Sequence, residues 1–578
     1  MNQRVLRSLL SCITLSIIIG VGATTAPGQQ PESSTTTGKI TGRVVNENGE
    51  PIPHAAVTLF AYGTTQRLAT TDDSGNFEVT QLDPRVYTII AASPAHYTPL
   101  RDPDSVQPIV YHVGDSANIT LIKGAVITGT VTSTTGEPVV QAGVRVLMIR
   151  DANGKPVTSV RYPDKVTDDR GIYRIYGLVP GTYLVSAGGR GAYGFNSNAY
   201  DSEAPTFAPS SSPDTAAEIV VHSSEEVSGV DIHLRGEPGH VVSGTISGTL
   251  GDRSATNVLL RQLFQGVPQV VAVGFQPSNG NGFALYGIAD GDYELTAQEF
   301  SEAGAASAEP VKVAVKGKDA SGLNLVLKSL GAISGRVVME GSAVEACKDK
   351  QQPLLSETVL WARVNRLPNQ PAPGAFTSSQ SAPDKSGEFT FRNLGAGQFN
   401  LSTVFFANHW YLRSIKRPAP AAKGASAARD TDIARQGLNL KFGERVSGVI
   451  VTLAGGAVSL RGSLKLPEGA SVPPKLYVHL VPAEEESAED VLRFYTVSVS
   501  SDAKFALNNL APGKYWVVAR LSPDNEPEYD AKLRAPEGAT QRAALRKNAE
   551  ASKIELELKP CQNVSDYQVP FEISAGKN

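Results

Sequence analysis

His222-Ser223-Ser224-Glu225 is where this chain comes nearest to the residue pattern of a catalyst. A histidine and a glutamate three apart can share a zinc ion, and with a distant histidine and one open coordination position the metal would activate water or polarise a carbonyl. This pair lies in a polar segment just ahead of a strand pattern. No region alternates strands and helices as a large α/β catalytic domain requires. H-E-x-x-H, P-loop and G-x-S-x-G patterns are missing, and His54, His96, His112 and His479 stand isolated. The expectation is a non-enzymatic protein with no catalytic residue, no metal and no cofactor.

Carboxylates cluster in two stretches, TDDSG with Asp72 and Asp73 and TDDRG with Asp168 and Asp169. Calcium wants about six to eight oxygens, and two adjacent side chains fall well short. These aspartates are expected to bond their own backbone in turns. Aromatic residues on loops offer different chemistry, because a flat ring can face a sugar or anchor a protein partner. Tyr193, Phe195 and Tyr200 lie in a Gly/Ser/Asn-rich insertion, and Trp410 and Tyr411 follow Phe405 and Phe406 in another. These five are the ligand-binding candidates, against the alternative that they cover their own module's core. Cys347 and Cys561 either form one disulfide that ties two modules together or remain two buried thiols.

The elements that must position these residues repeat along the chain. Phe77, Leu82 and Tyr87 are five apart, and the same ladder recurs at Tyr173/Leu178/Tyr183, Phe283/Ile288/Tyr293, Phe389/Leu394/Phe399 and Phe505/Leu510/Tyr515. Each ladder reads as strand, tight connection and strand, preceded by an Asp/Ser/Gly turn. In the fifth copy Ser501-Asp502-Ala503 lacks the glycine, which predicts another turn type. Tyr183, Val185 and Ala187 alternate, as do Tyr293, Leu295 and Ala297, placing them on a buried face. Trp516, next to the inward Tyr515, should point outward, under a polar helix predicted over 540–551; a last strand is predicted over 554–558. An opening strand repeats too, with Gly42, Gly129, Gly244, Gly335 and Gly462 at its centre. Glycine there implies a bulge or a closely passing backbone. Short joints between modules predict a stiff, elongated rod.

At 578 residues the chain exceeds one core, and roughly 100 to 200 residues per domain suggests several. The 53 basic and 57 acidic side chains leave a net charge of −4. That gives no footprint for nucleic acid. Arg4 and Arg7 precede an apolar run from Leu9 to Val21 and small residues near Ala23 and Ala26, the layout of a secretory signal peptide. Cys12 lies within the run, which argues against a lipid attachment site. No membrane span is expected in the mature chain.

The pattern I-x-G-x-V, G-E-P, T-D-D-x-G-x-F and L-x-P-G-x-Y resembles the carboxypeptidase regulatory-like domain. It is carried by Gly42, Gly49, Pro51, Asp72, Gly75, Phe77, Leu82 and Tyr87, and again by Gly129, Gly136, Pro138, Asp168, Gly171, Tyr173, Leu178, Pro180, Gly181 and Tyr183. The resemblance implies a transthyretin-like or starch-binding-like sandwich in an exported bacterial protein, usually an accessory rather than a catalyst. The expected fold is all-β, about five immunoglobulin-like or transthyretin-like β-sandwich modules in tandem with a short C-terminal helix. Expected boundaries are a signal peptide at 1–26, a leader at 27–37, and sandwiches at 38–123, 124–235 (loop 188–215), 236–329, 330–454 (loop 416–435) and 455–578. The expected role is binding of carbohydrate or an envelope protein at the periplasm, cell surface or outside. A structural spacer or an accessory of a separately encoded peptidase is the alternative.

Overall fold

A computed structural model describes residues 38–571, apart from 62–65, 84, 99–109, 155, 158–161, 190–199, 201, 249, 251–254, 265–266, 276–279, 302–303, 349, 365–375, 420–429, 467–470, 474, 522–532 and 534–537. The signal peptide and leader lie outside the described residues.

Each module begins with an opening strand: Gly38–Val45, Ala125–Thr132, His240–Ser247, Gly331–Glu340 and Val458–Lys465. On one side it pairs antiparallel with the first strand of its ladder, Asn76–Leu82, Ile172–Leu178, Gly282–Ile288, Glu388–Leu394 or Lys504–Leu510. On the other it pairs parallel with a closing strand from the end of its own module. A second sheet, built around the strand that follows the ladder, packs across this one. In the third module the two sheets are continuous, because Gly304–Ala308 pairs with Gly291–Ser301 and with the closing strand Ala320–Ser329. Joining the sheets removes exposed edges that could template aggregation.

The glycines at the centre of the opening strands now have a cause. Gly42, Gly129, Gly244, Gly335 and Gly462 each stand opposite the first aromatic of the ladder, Phe77, Tyr173, Phe283, Phe389 and Phe505. The closing strand passes on the other side. A Cβ would stand 2.2, 2.1, 2.0, 2.0 and 2.3 Å from the carbonyl oxygens of Ala117, Val230, Leu323, Val449 and Tyr567. Only a residue without a side chain fits between ring and carbonyl.

All fifteen ladder side chains are no more than 5 % exposed. Four of the five closing positions are tyrosines whose hydroxyl donates to the carbonyl four residues earlier: Tyr87 to Asp83 at 3.1 Å, Tyr183 to Val179 at 2.6 Å, Tyr293 to Ala289 at 2.8 Å and Tyr515 to Ala511 at 2.8 Å. The ring fills the core while the hydroxyl satisfies the tight turn. Phe399 does the filling without the bond. A second repeat, invisible in composition, precedes each middle rung: Gln81, Gly177, Gly287, Asn393 and Asn509 have φ of 58°, 77°, 70°, 57° and 57°. The register shifts there in every copy, so these residues form one recurring bulge.

Three expectations are corrected. Ala503 holds φ = 61°, the left-handed conformation of Gly75, Gly171 and Gly387, and the same backbone bonds close its turn. The fifth turn is therefore of the same kind, with alanine in the glycine's place. The closing strand of the fifth module is Asn563–Pro570, beyond the expected last strand; Glu555–Leu558 pairs instead with Gly513–Leu521 in the other sheet. Its mostly exposed residues and a left-handed Asp566 hide the alternation that marks a strand. Nor is the array a straight rod. His112 of the first module lies 3.7 Å from Glu357 and edge-on to Phe406 of the fourth, with ring centroids 6.1 Å apart.

Candidate functional site

The residues with chemical potential in the sequence are spent on structure. In the TDDxG turns Asp72 Oδ1 accepts from the amides of Ser74 and Asn76 at 2.9 and 2.8 Å, and Asp168 Oδ1 from those of Arg170 and Ile172 at 3.0 and 2.8 Å. Amide donors stabilise the ionised form and hold both carboxyls below their ordinary range. His222 and Glu225 satisfy one another in an exposed turn: Nδ1 to Oε2 is 2.8 Å, and the same oxygen accepts the His222 amide at 2.8 Å. The bond from His222 lowers the Glu225 pKa. Their turn is one side of the first joint, with Ser223 bonded to Tyr97 at 2.9 Å. Among the described residues no group of three or more His, Cys, Asp or Glu side chains is placed to hold a metal.

The aromatic candidates divide. Tyr193 and Phe195 lie outside the described residues. Tyr200 is half-buried against the second module's core. Trp410 is 4 % exposed in the core of the fourth, its indole N–H donating to the Gln351 carbonyl at 3.1 Å. It is a core residue and a correction to its candidacy as a ligand platform. Tyr411, beside it, is half-buried, and burial raises its pKa.

Trp410 marks the joint between the fourth and fifth modules, which is fixed three ways. Cys347 and Cys561 are joined by a disulfide across 214 residues. Asn509, in the fifth module's bulge, donates through Nδ2 to the carbonyls of Ala407 and Trp410 at 2.9 and 2.7 Å. Arg435 pairs with Glu489 at 2.8 Å. The disulfide faces a cleft of about 220 Å³ edged by Lys348, Lys350 and His409. That is below the roughly 300 Å³ at which small-molecule sites begin. Other joints are also packed: Ile149, Leu184 and Phe207 of the second module bury against Phe264 of the third, and Gln269 reaches the Val157 carbonyl at 3.0 Å.

Among the described residues, an aromatic and a cation also meet on the outer face of the fourth module's second sheet, ordered Ser378–Ser381, Val359–Val364, Gly397–Val404, Leu438–Leu440. Leu360 and Ala362 point into the core, so Trp361 and Arg363 point out. Register places Gln380 and Ser402 beside Trp361, and Ser378 and Asn400 beside Arg363. The Arg363 guanidinium lies over the indole, 4.4 Å from its centroid. Sequence reading passed over this pair because it sought aromatics on loops. The signal was Leu-Trp-Ala-Arg alternation within one strand.

No curated protein matches the chain in sequence. Residues 39–121 match the carboxypeptidase regulatory-like domain. That match covers the first sandwich, whose opening-strand glycine and ladder recur in all four later modules and whose G-E-P turn recurs in the second. Among solved structures, 50 % of the chain aligns with 51 % of the Bacillus anthracis TIE protein at 16 % identity and a TM-score of 0.14. The chain thus spans about half the length of that protein. In a separate comparison, 34 % of the chain aligns with 95 % of GBS52, the minor pilin of Streptococcus agalactiae, at 14 % identity and a TM-score of 0.19. The major pilin subunit BcpA of Bacillus cereus aligns over 99 % of its length with 58 % of this chain, at 12 % identity and a TM-score of 0.13. At such values nothing about activity or partner transfers. Among the described residues no helix is long and apolar enough to cross a membrane.

Proposed function

We propose that this chain is an exported, non-enzymatic interaction scaffold, in which sandwich modules locked at their joints present binding faces to a component of the cell envelope or its surroundings. The supporting observation is the division of labour among residues. The ladder side chains that the five copies share are buried in their cores, while Trp361 and Arg363, which the other copies lack, sit on an outer sheet face. A disulfide, an asparagine clamp and apolar joint packing hold those faces in one arrangement, and preorganisation lowers the cost of binding. The first-to-fourth contact through His112 speaks against a simple extended spacer.

The test is retention of the purified mature protein on envelope material, together with small-angle scattering. A bound fraction that saturates, and a scattering profile more compact than five sandwiches end to end, are the expected results. An extended profile with no saturable retention would return the protein to the class of spacers, and turnover of peptide, ester or glycoside substrates would overturn the non-enzymatic reading.

A further inference from the structure

The outer face around Trp361 carries chemistry that the fold does not use. Arg363 is exposed and makes no ion pair among the described residues. It is held over the Trp361 indole, so its charge stands in one place above the sheet. The four side chains flanking the two, Gln380, Ser402, Ser378 and Asn400, are neutral hydrogen-bonding groups with no carboxylate among them. Asn400 itself is half-buried beside Arg363. Along the strands the face ends at Val359 paired with Val404, beyond which Glu357 and Phe406 meet His112 of the first module. The face therefore begins where the contact between modules stops.

We propose that this face binds an acidic oligosaccharide, a chain of pyranose rings bearing carboxylates. The guanidinium takes the carboxylate in a charge-assisted pair. The indole receives the C–H face of a ring, and the Gln380 amide and the Ser378 and Ser402 hydroxyls exchange hydrogen bonds with ring hydroxyls. A peptide fits less well, since the face offers no apolar pocket for alternate side chains. The assignment rests on the scaffold reading and names the ligand class of one of its faces.

Titration calorimetry on the full mature chain tests it, with a galacturonate hexamer, the same hexamer after reduction of its carboxyls, and poly-glutamate of matched charge. The acidic hexamer should bind with one-site saturation. Carboxyl reduction and Arg363→Gln should each weaken it by about tenfold, the scale of one charge-assisted contact. Trp361→Ala should remove saturable binding, and if circular dichroism shows that variant misfolded, Trp361→Tyr should bind several-fold more weakly. Absence of binding, affinity unchanged in Arg363→Gln, or equal binding of poly-glutamate would overturn the proposal. If the hexamer fails while envelope material still retains the protein, the site falls and the scaffold stands; if both fail, both fall.

Discussion

Gly335 faces the backbone of Val449 so closely that a methyl group on its α-carbon would stand 2.0 Å from the Val449 carbonyl oxygen. The strand carrying Val449 runs parallel to the opening strand and pairs with it from Ala332 to Glu340, so it cannot retreat without loss of that ladder. Gly335→Ala should therefore destabilise the fourth module by about 3 kcal/mol or more, in the range of overpacked cores. Gly341→Ala, where nothing lies within 4 Å, should stay within about 0.5 kcal/mol of the parent. Urea denaturation followed by the fluorescence of buried Trp410 distinguishes them, and equal midpoints would refute the account of the repeated glycine.

The fifth module offers the opposite experiment. Ala503 occupies a left-handed position that glycine fills in three sister turns. Replacing it with glycine should raise stability by roughly 1 kcal/mol, because the steric penalty of a Cβ there exceeds the extra freedom that glycine gives the unfolded chain. A lower midpoint for Ala503→Gly would show that the methyl group's packing against the fifth core outweighs the strain.

His479 lies 1 % exposed on the outer side of its sheet, bonded through Nδ1 to the Thr496 hydroxyl at 2.9 Å. Its neighbours Val481, Trp516 and Val518 pack against the helix Ala539–Ser552 through Leu545 and Ala549. Burial, with Arg520 contributing, pulls its pKa down from 6.5 to about 3. The unfolded chain takes up a proton near 6.5 that the folded chain refuses. Stability is thus complete above that pH and falls as pH drops toward 3, by about 1.4 kcal/mol per unit. Between pH 7 and 4.5 the fifth module should lose about 2–3 kcal/mol more than a His479→Gln variant, measured by denaturant midpoints at each pH.

At the joint between the fourth and fifth modules, Cys347→Ser with Cys561→Ser should cost about 2–4 kcal/mol, the usual worth of a native disulfide. The two hydrogen bonds of Asn509 should keep the modules in register even so. Adding Asn509→Ala should open the joint to protease, while each single change leaves it protected. Cleavage at the joint in the cysteine variant alone would mean that the disulfide carries the junction by itself.

The array of sandwiches and the burial of its ladders were legible because they rest on local rules. Phe77, Leu82 and Tyr87 recur at one spacing, and alternation with period two assigns their face without knowledge of any partner strand. Turn aspartates could be read for the same reason, since Asp72 and Asp168 bond amides two and four residues away. Trp516 followed from Tyr515 by alternation, and the helix over it announced itself by composition. Illegible features depend on distant chain. Trp410 looks like a loop aromatic until the Gln351 carbonyl and the Asn509 amide are brought to it. Trp361 looks like a core residue until its strand is seen to have one face uncovered.

Sequence by itself determined the module: opening strand, turn, ladder and tight connection, each set by backbone stereochemistry and the alternation of apolar side chains. Tertiary structure alone decided which strand closes the fifth module, that Cys347 and Cys561 meet, and that His112 reaches Glu357 and Phe406 rather than solvent. Those outcomes depend on packing between residues up to hundreds of positions apart, where no local preference acts and only the summed geometry of the intervening modules brings the groups together.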